Sequence, residues 1–423
     1  MNKSILYIII LLFISNCSVN KNEITEYENQ IEIFKKIEPI QKEFNQNLKI
    51  KKFQNFKINP FIKNNSNNNG NIDFDTNFEK ISNYKISKLK KFISNQPELF
   101  FTDNENIIFF DGKGSVFKLN HDLKEIWKVN NYNKKEKKLS PILYFAQFEK
   151  SLIINDNISK LYSINLNDGK VIWSKYSSSS FNSNIKIYKD KFFTVDFDNV
   201  IRAISAKDGN ELWNFKTDNS FIKSQKKLSI ILKDEIVFFI NNVGDVTALD
   251  VNNGSLVWQT PTQSNLIYQD AFTLENSDLV FENDTIYFSN NKNEFFSIDA
   301  RTGIIKWTQS INSSLRPTII DNLIFTISNE GYLFIIDDRT GNILRITDIL
   351  TNFKNRENIK PIGFIHGRHK IFVSLNNGQI ISLNSTTGEQ QKITKVHGSK
   401  VSRPYIFKNS MYLIKDNAVS KIN

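Results

Sequence analysis

Apolar and polar residues alternate along most of this chain in short runs, and short polar turns break the runs at regular intervals. Phe, Ile, Tyr and Val tend to take every second position, as they do on strands that turn one face to a core. No window inside these runs sustains the 3.6-residue apolar period of a helix, which excludes a helical solenoid. The breaks repeat. Six of them end an apolar strand with a polar turn that closes on glycine, at Gly169, Gly209, Gly254, Gly303, Gly341 and Gly388. The second copy reads Ala203-Ile204-Ser205-Ala206-Lys207-Asp208-Gly209. After the first four glycines a tryptophan follows at a constant offset, at Trp173, Trp213, Trp258 and Trp307. Glycine permits the positive φ of a tight turn, and Asp, Asn or Thr just before it bonds the turn's own backbone. A Trp at a fixed offset enters the next strand on a fixed face, so it is predicted to pack between one sheet and the next.

The glycines recur every 38 to 49 residues, about 44 on average. That is the period of four-stranded propeller blades. An apolar strand that opens a hairpin marks each unit a second time, near Ile107, Leu152, Phe192, Ile236, Thr285, Leu323, Ile371 and Met411. Eight such units fill the chain from about residue 74 onward. The last unit has its hairpin but no glycine turn and no outer strand, and an open sheet edge there would be a liability. Residues 77–86 alternate suitably and are predicted to supply the missing strand. The expected fold is therefore all-β: an eight-bladed propeller of four-stranded antiparallel blades over residues 77–423, closed by an N-terminal strand. Three units depart from the pattern. The first has Trp127 without the glycine, and Arg345 and Lys392 stand where the sixth and seventh would carry Trp. Those interfaces are predicted to pack differently.

The first 76 residues read as something else. Lys3 precedes ten apolar residues, 5–14, too few to anchor a helix across a bilayer. The run exits through Ser15 and Asn16 onto Cys17, the single cysteine of the chain. Residues 1–16 are thus predicted to be a secretory signal peptide. Residues 17–76 are expected to form a polar tether. Within it Ile24, Tyr27, Ile31 and Phe34 are spaced for a short amphipathic helix in 22–38, and Asn recurs through residues 64–71.

Charge changes this picture little. The chain carries 55 Lys and Arg against 44 Asp and Glu, a net charge of +11. The lysines are scattered, with one short cluster at Lys134, Lys135, Lys137 and Lys138, so nucleic acid is not the expected partner. Candidate chemistry is sparse. His366 and His369 form the one close histidine pair, and no carboxylate pattern completes a metal site around them, so a turn between strands is expected there. No phosphate-binding loop and no nucleophile elbow appears. The acidic residues recur at equivalent turn positions, which points to turn formation. No catalytic residue, metal or cofactor is expected.

The Ala-Leu-Asp-x-x-x-Gly-x-x-x-Trp unit resembles the repeat of the pyrroloquinoline-quinone-type propellers. Residues 14–17 resemble a lipobox, which implies diacylation of Cys17, and Ser18 resembles the pattern for export to the outer membrane. Together these features resemble the BamB family of the β-barrel assembly machinery. The resemblance implies a non-enzymatic lipoprotein scaffold on the periplasmic side of the outer membrane, with a BamA-like barrel protein as partner. The family's partner-binding connection corresponds here to Tyr268 through Glu275, where the family's Arg is missing. The expected contacts are Tyr268, Phe272, Leu274 and Glu275, with Leu315 and Arg316 on the equivalent connection. The alternatives are a quinone-dependent periplasmic dehydrogenase, or a propeller that binds carbohydrate or cell wall.

Overall fold

In the computed structural model, thirty-two strands form eight four-stranded antiparallel sheets. The structure describes residues 38–51, 53–56, 71–75, 80–89, 97–218, 226–262, 274–396, 398 and 400–423. Apart from Glu38 these belong to one unit, Pro39–Asn423. The expected signal peptide, Cys17 and all but the last residue of the helix expected within 22–38 therefore lie outside the described residues, as does most of the Asn-rich run.

Each of the eight hairpin openings read from the sequence falls in the second strand of its blade, from Ile107–Phe110 in blade one to Ser410–Lys415 in blade eight. The middle strands are buried along most of their length because each blade stacks between two neighbours. Thr285–Asn290 of blade five is an example. The fourth strands alternate between exposed and half-buried positions, as in Val171–Tyr176 and Glu211–Lys216. They form the rim, which places the first strands at the axis. Hairpins between first and second strands turn tightly on Asn283–Asp284, Asp321–Asn322 and Lys408–Asn409. Positive φ at both central residues is the type I′ geometry that matches strand twist.

The ring closes as the sequence predicts, with strand Ile81–Lys85 inside the expected 77–86. It pairs antiparallel with Ala418–Ile422, Ile81 facing Ile422 and Lys85 facing Ala418, and completes blade eight.

The Trp–Gly repeat is a contact between neighbouring blades. Trp173 stands on the outer strand of blade two, and its indole N–H donates to Ala206 O of blade three at 3.2 Å. Three residues on, Gly209 has φ +71°, and a Cβ there would lie 2.6 Å from the Trp173 ring. So the glycine is needed both for its turn and for the ring above it. Trp127, Trp213, Trp258 and Trp307 donate in the same way to Leu166, Val251, Ala300 and Asp338 of the following blade.

Part of the stretch read as a tether lies against the ring. Ile40 bonds to Ser310 after blade five, residues 44–51 and 53–56 run beside blades six and seven, and Asn71 and Ile72 bond at His366 of blade seven. Phe53 and Phe56 pack on the core these two blades share.

Candidate functional site

The described residues bring their densest group of charged side chains together at the axis. Glu98, Asp278, Arg316 and Arg403 each stand two residues before the first strand of their blade, and Lys227 stands three before. Serines hold some of these entries in place. Ser277 Oγ accepts the N–H of Ser289, and Ser402 Oγ accepts that of Ile414, both at 2.9 Å. Each ties its loop to the blade's second strand and sets the residue after it, Asp278 or Arg403, toward the hub. Blades one, four, five, six and eight can meet only there.

Lys227 Nζ lies 2.8 Å from Glu98 and 4.0 Å from Asp278. Arg316 Nε donates to Asp278 at 2.7 Å, and its Nη2 lies 3.6 Å from Glu98. Arg403 reaches Glu98 at 3.1 Å and Asp278 at 3.7 Å, and stacks over the Tyr405 ring at 4.9 Å. Burial pushes the Glu98 carboxyl up, but Lys227, Arg403 and Arg316 outweigh it and hold it near 2. Burial also pushes Asp278 up, and Arg316, Lys227 and Arg403 hold it well below the usual carboxylate range. Lys186, at the start of blade three's first strand, goes the other way. Burial, reinforced by Arg316, brings it down to about 7. Two carboxylates locked as anions and paired with cations are poor proton donors and acceptors at neutral pH. The arrangement pins five blades together electrostatically.

A cavity beside Glu98 and Arg403, lined also by Tyr144, Asn184 and Tyr405, has a water-accessible volume of about 30 Å³. That is room for water. The hub's described cations do not suit a quinone cofactor: Lys227, Arg316 and Arg403, which could meet its carboxylates, are engaged with Glu98 and Asp278. Among the described residues no three His, Cys, Asp or Glu side chains gather as metal ligands. His366 and His369 diverge: His366 is buried at the end of a strand, and His369 lies in the turn after it, 2.8 Å from Asp75.

The residues expected to bind a partner are placed as follows. Tyr268 and Phe272 lie outside the described residues. Leu274 is 1% exposed, and Leu315, at 7%, belongs to the core under blades six and seven. Arg316 is part of the axial ion cluster. Glu275 is exposed. The sequence reading missed Glu98, Lys227, Asp278 and Arg403. Their signal was a charge two or three residues ahead of the first strand in five of the eight blades, which shows only once the blades are aligned.

Fold and repeats define a propeller of the quinoprotein repeat type. The family model described as outer membrane protein assembly factor BamB matches residues 112–347, more than half of the chain, and the chain belongs to that family. No curated protein matches the sequence significantly. Among solved structures, BamB from Moraxella catarrhalis is 16% identical, with a TM-score of 0.65 over 82% of this chain and 100% of that one. The computationally designed Ika8 protein is 12% identical, with a TM-score of 0.60 over 81% and 97%. The quinohemoprotein alcohol dehydrogenase ADHIIG from Pseudomonas putida HK5 is 10% identical, with a TM-score of 0.59 over 82% and 75%. At these identities the likeness is one of fold.

Proposed function

We propose that this protein is a non-enzymatic scaffold, anchored by a lipid on Cys17 to the periplasmic face of the outer membrane, that assists the assembly of β-barrel proteins. The observation that carries the reading is the family match over residues 112–347. The axial ion cluster supports it, since its cations are engaged with Glu98 and Asp278. A ring with these charges paired at its hub offers loops and edges for binding. In this reading the barrel component of the assembly machinery meets the connection from Tyr268 to Glu275, where Glu275 is exposed.

The test is co-purification of the whole lipidated protein from membranes in mild detergent, followed by identification of what comes with it. A barrel-assembly protein in stoichiometric amount is the expected result. Cys17→Ala should move the protein out of the outer-membrane fraction, because acylation needs the thiol. Co-purification with electron-transfer proteins and no barrel component would overturn the reading.

A further inference from the structure

At its rim, blade six differs from the blades before it. The chain's own N-terminal part runs along its outer strand, Ile343–Asp348. Phe44 N–H donates to Ile346 O at 3.1 Å, and Ile346 N–H donates back to Phe44 O at 3.0 Å. This reciprocal pair is one rung of an antiparallel ladder. Glu43 accepts the Asp348 N–H at 3.1 Å, and the Asn45 side chain donates to Leu344 O at 3.2 Å. Blade six thus carries the beginning of a fifth strand.

Ser174, Asn214, Gln259 and Thr308 hold the position of Ile346 in blades two to five, each one residue past its Trp. Among the described residues no added strand covers these four edges. Ahead of each Trp lie exposed apolar side chains, one or two residues before it in blades two to four and three before it in blade five. Val171, Ile172, Leu212, Leu256, Val257 and Ile304 are each 46–65% exposed. In blade six the corresponding Ile343 and Leu344 are half-buried. A β-bulge falls at Ile172, Leu212 and Val257. It interrupts the ladder at the strand's start and leaves the stretch past the Trp as the pairing edge. Four neighbouring blades therefore present the same device: an apolar step followed by a short run of backbone.

We propose that the outer edges of blades two to five dock extended segments of another polypeptide by strand addition, with apolar side chains of the guest seated on these steps. The chemistry selects an alternating apolar–polar segment, as in a β-barrel chain before it folds. The segment around Phe44 shows on blade six that such an edge accepts a strand. The choice of a barrel chain as guest rests on the proposed function; the edge geometry does not.

The probe is a ten-residue peptide alternating Val or Phe with Thr or Ser, added to the purified full-length protein. The expected result is photo-crosslinking to benzoylphenylalanine placed at Ser174, Asn214 or Thr308. Affinity should drop at least tenfold in the combined Ile172→Lys, Leu212→Lys, Val257→Lys variant, with Tm unchanged. A matched peptide with Pro at alternate positions should bind at least tenfold more weakly. Unchanged affinity in the triple variant, or crosslinking confined to the axial loops, would overturn the proposal. So would a dimer of this protein that the same variant dissolves, since the edges would then serve a second copy. Because the assay contains no assembly machinery, the two readings fail separately. Lost co-purification with intact peptide binding refutes the scaffold role, and the reverse refutes strand docking.

Discussion

Two kinds of blade interface meet in this ring. From blade one to blade six, each outer strand sends a Trp indole onto the glycine of the next blade, with one hydrogen bond to a carbonyl three residues before that glycine. Between blades six and seven, Arg345 takes the Trp position. It is fully buried, and its Nη1 donates to Thr386 O of blade seven at 2.6 Å and to Leu48 O of the N-terminal segment at 2.7 Å. An indole has one donor and can serve one neighbour, whereas a guanidinium has five and can serve two. The substitution exchanges a wedge between two partners for a clamp among three. Burial lowers the Arg345 pKa to about 10, which still leaves it charged at neutral pH. At the next interface Lys392 is exposed and neither device is used.

The largest expected effect comes from breaking the ring itself. Truncation through Ile86 removes the strand paired with Ala418–Ile422 and opens blade eight. The cooperative thermal transition followed by circular dichroism should disappear. Truncation through residue 56 removes the clamped segment and what precedes it, spares the closing strand, and should lower the midpoint of a single remaining transition. Equal behaviour of the two would mean that closure does not depend on the first strand.

Next come the two interfaces. Trp213→Ala should cost about 3 kcal/mol in denaturant unfolding, from lost ring packing and one hydrogen bond. Arg345→Ala should cost about 2–3 kcal/mol because a fully buried side chain and its hydrogen bonds to two half-buried carbonyls are lost. Arg345→Lys should recover little, since a single ammonium does not reproduce the fork. The sharper difference is local. Hydrogen exchange at residues 44–50 should accelerate in the Arg345 variants and stay unchanged in Trp213→Ala.

At neutral pH the smallest effect is that of a pH dependence that the clamped region shows, because it sets in only on acidification. His366 is fully buried against Phe53, Phe56 and Phe325, with ring centroids 4.9, 6.3 and 4.5 Å away. Burial lowers its pKa to about 3, below the ordinary 6.5. The unfolded chain therefore takes up a proton that the folded chain refuses. The stability this packing gives is complete above about pH 6.5 and falls as the pH drops toward 3, by about 1.4 kcal/mol per unit. His366→Phe should remove that slope from a stability–pH series and leave the slopes from carboxylates in place.

Much of the fold was legible because a repeat multiplies weak signals. Glycine spacing gave the period, hairpin openings gave the count, and the unfinished last blade called for a strand near residues 77–86. The Arg345 interface was legible only as a departure. Nothing near Arg345 in sequence indicates that Leu48, 297 residues away, supplies its second acceptor. The docked segment was equally hidden, because Phe44, Ile50, Phe53 and Phe56 are isolated apolar residues in a polar stretch and fit no single period. The axial cluster escaped for the same reason. Five blades contribute one charge each, so no local motif exists, and nothing near Arg316 in sequence sets Asp278 and Glu98 beside it.

The central claim is that this hub is a closed structural pin and the protein a binding scaffold. The most direct measurement is titration of the purified protein with pyrroloquinoline quinone and Ca²⁺, followed by absorbance and by dye reduction with alcohols and sugars. The account predicts no stoichiometric binding and no turnover. A saturable quinone complex that reduces the dye would show that the axis opens to a cofactor, and would contradict it.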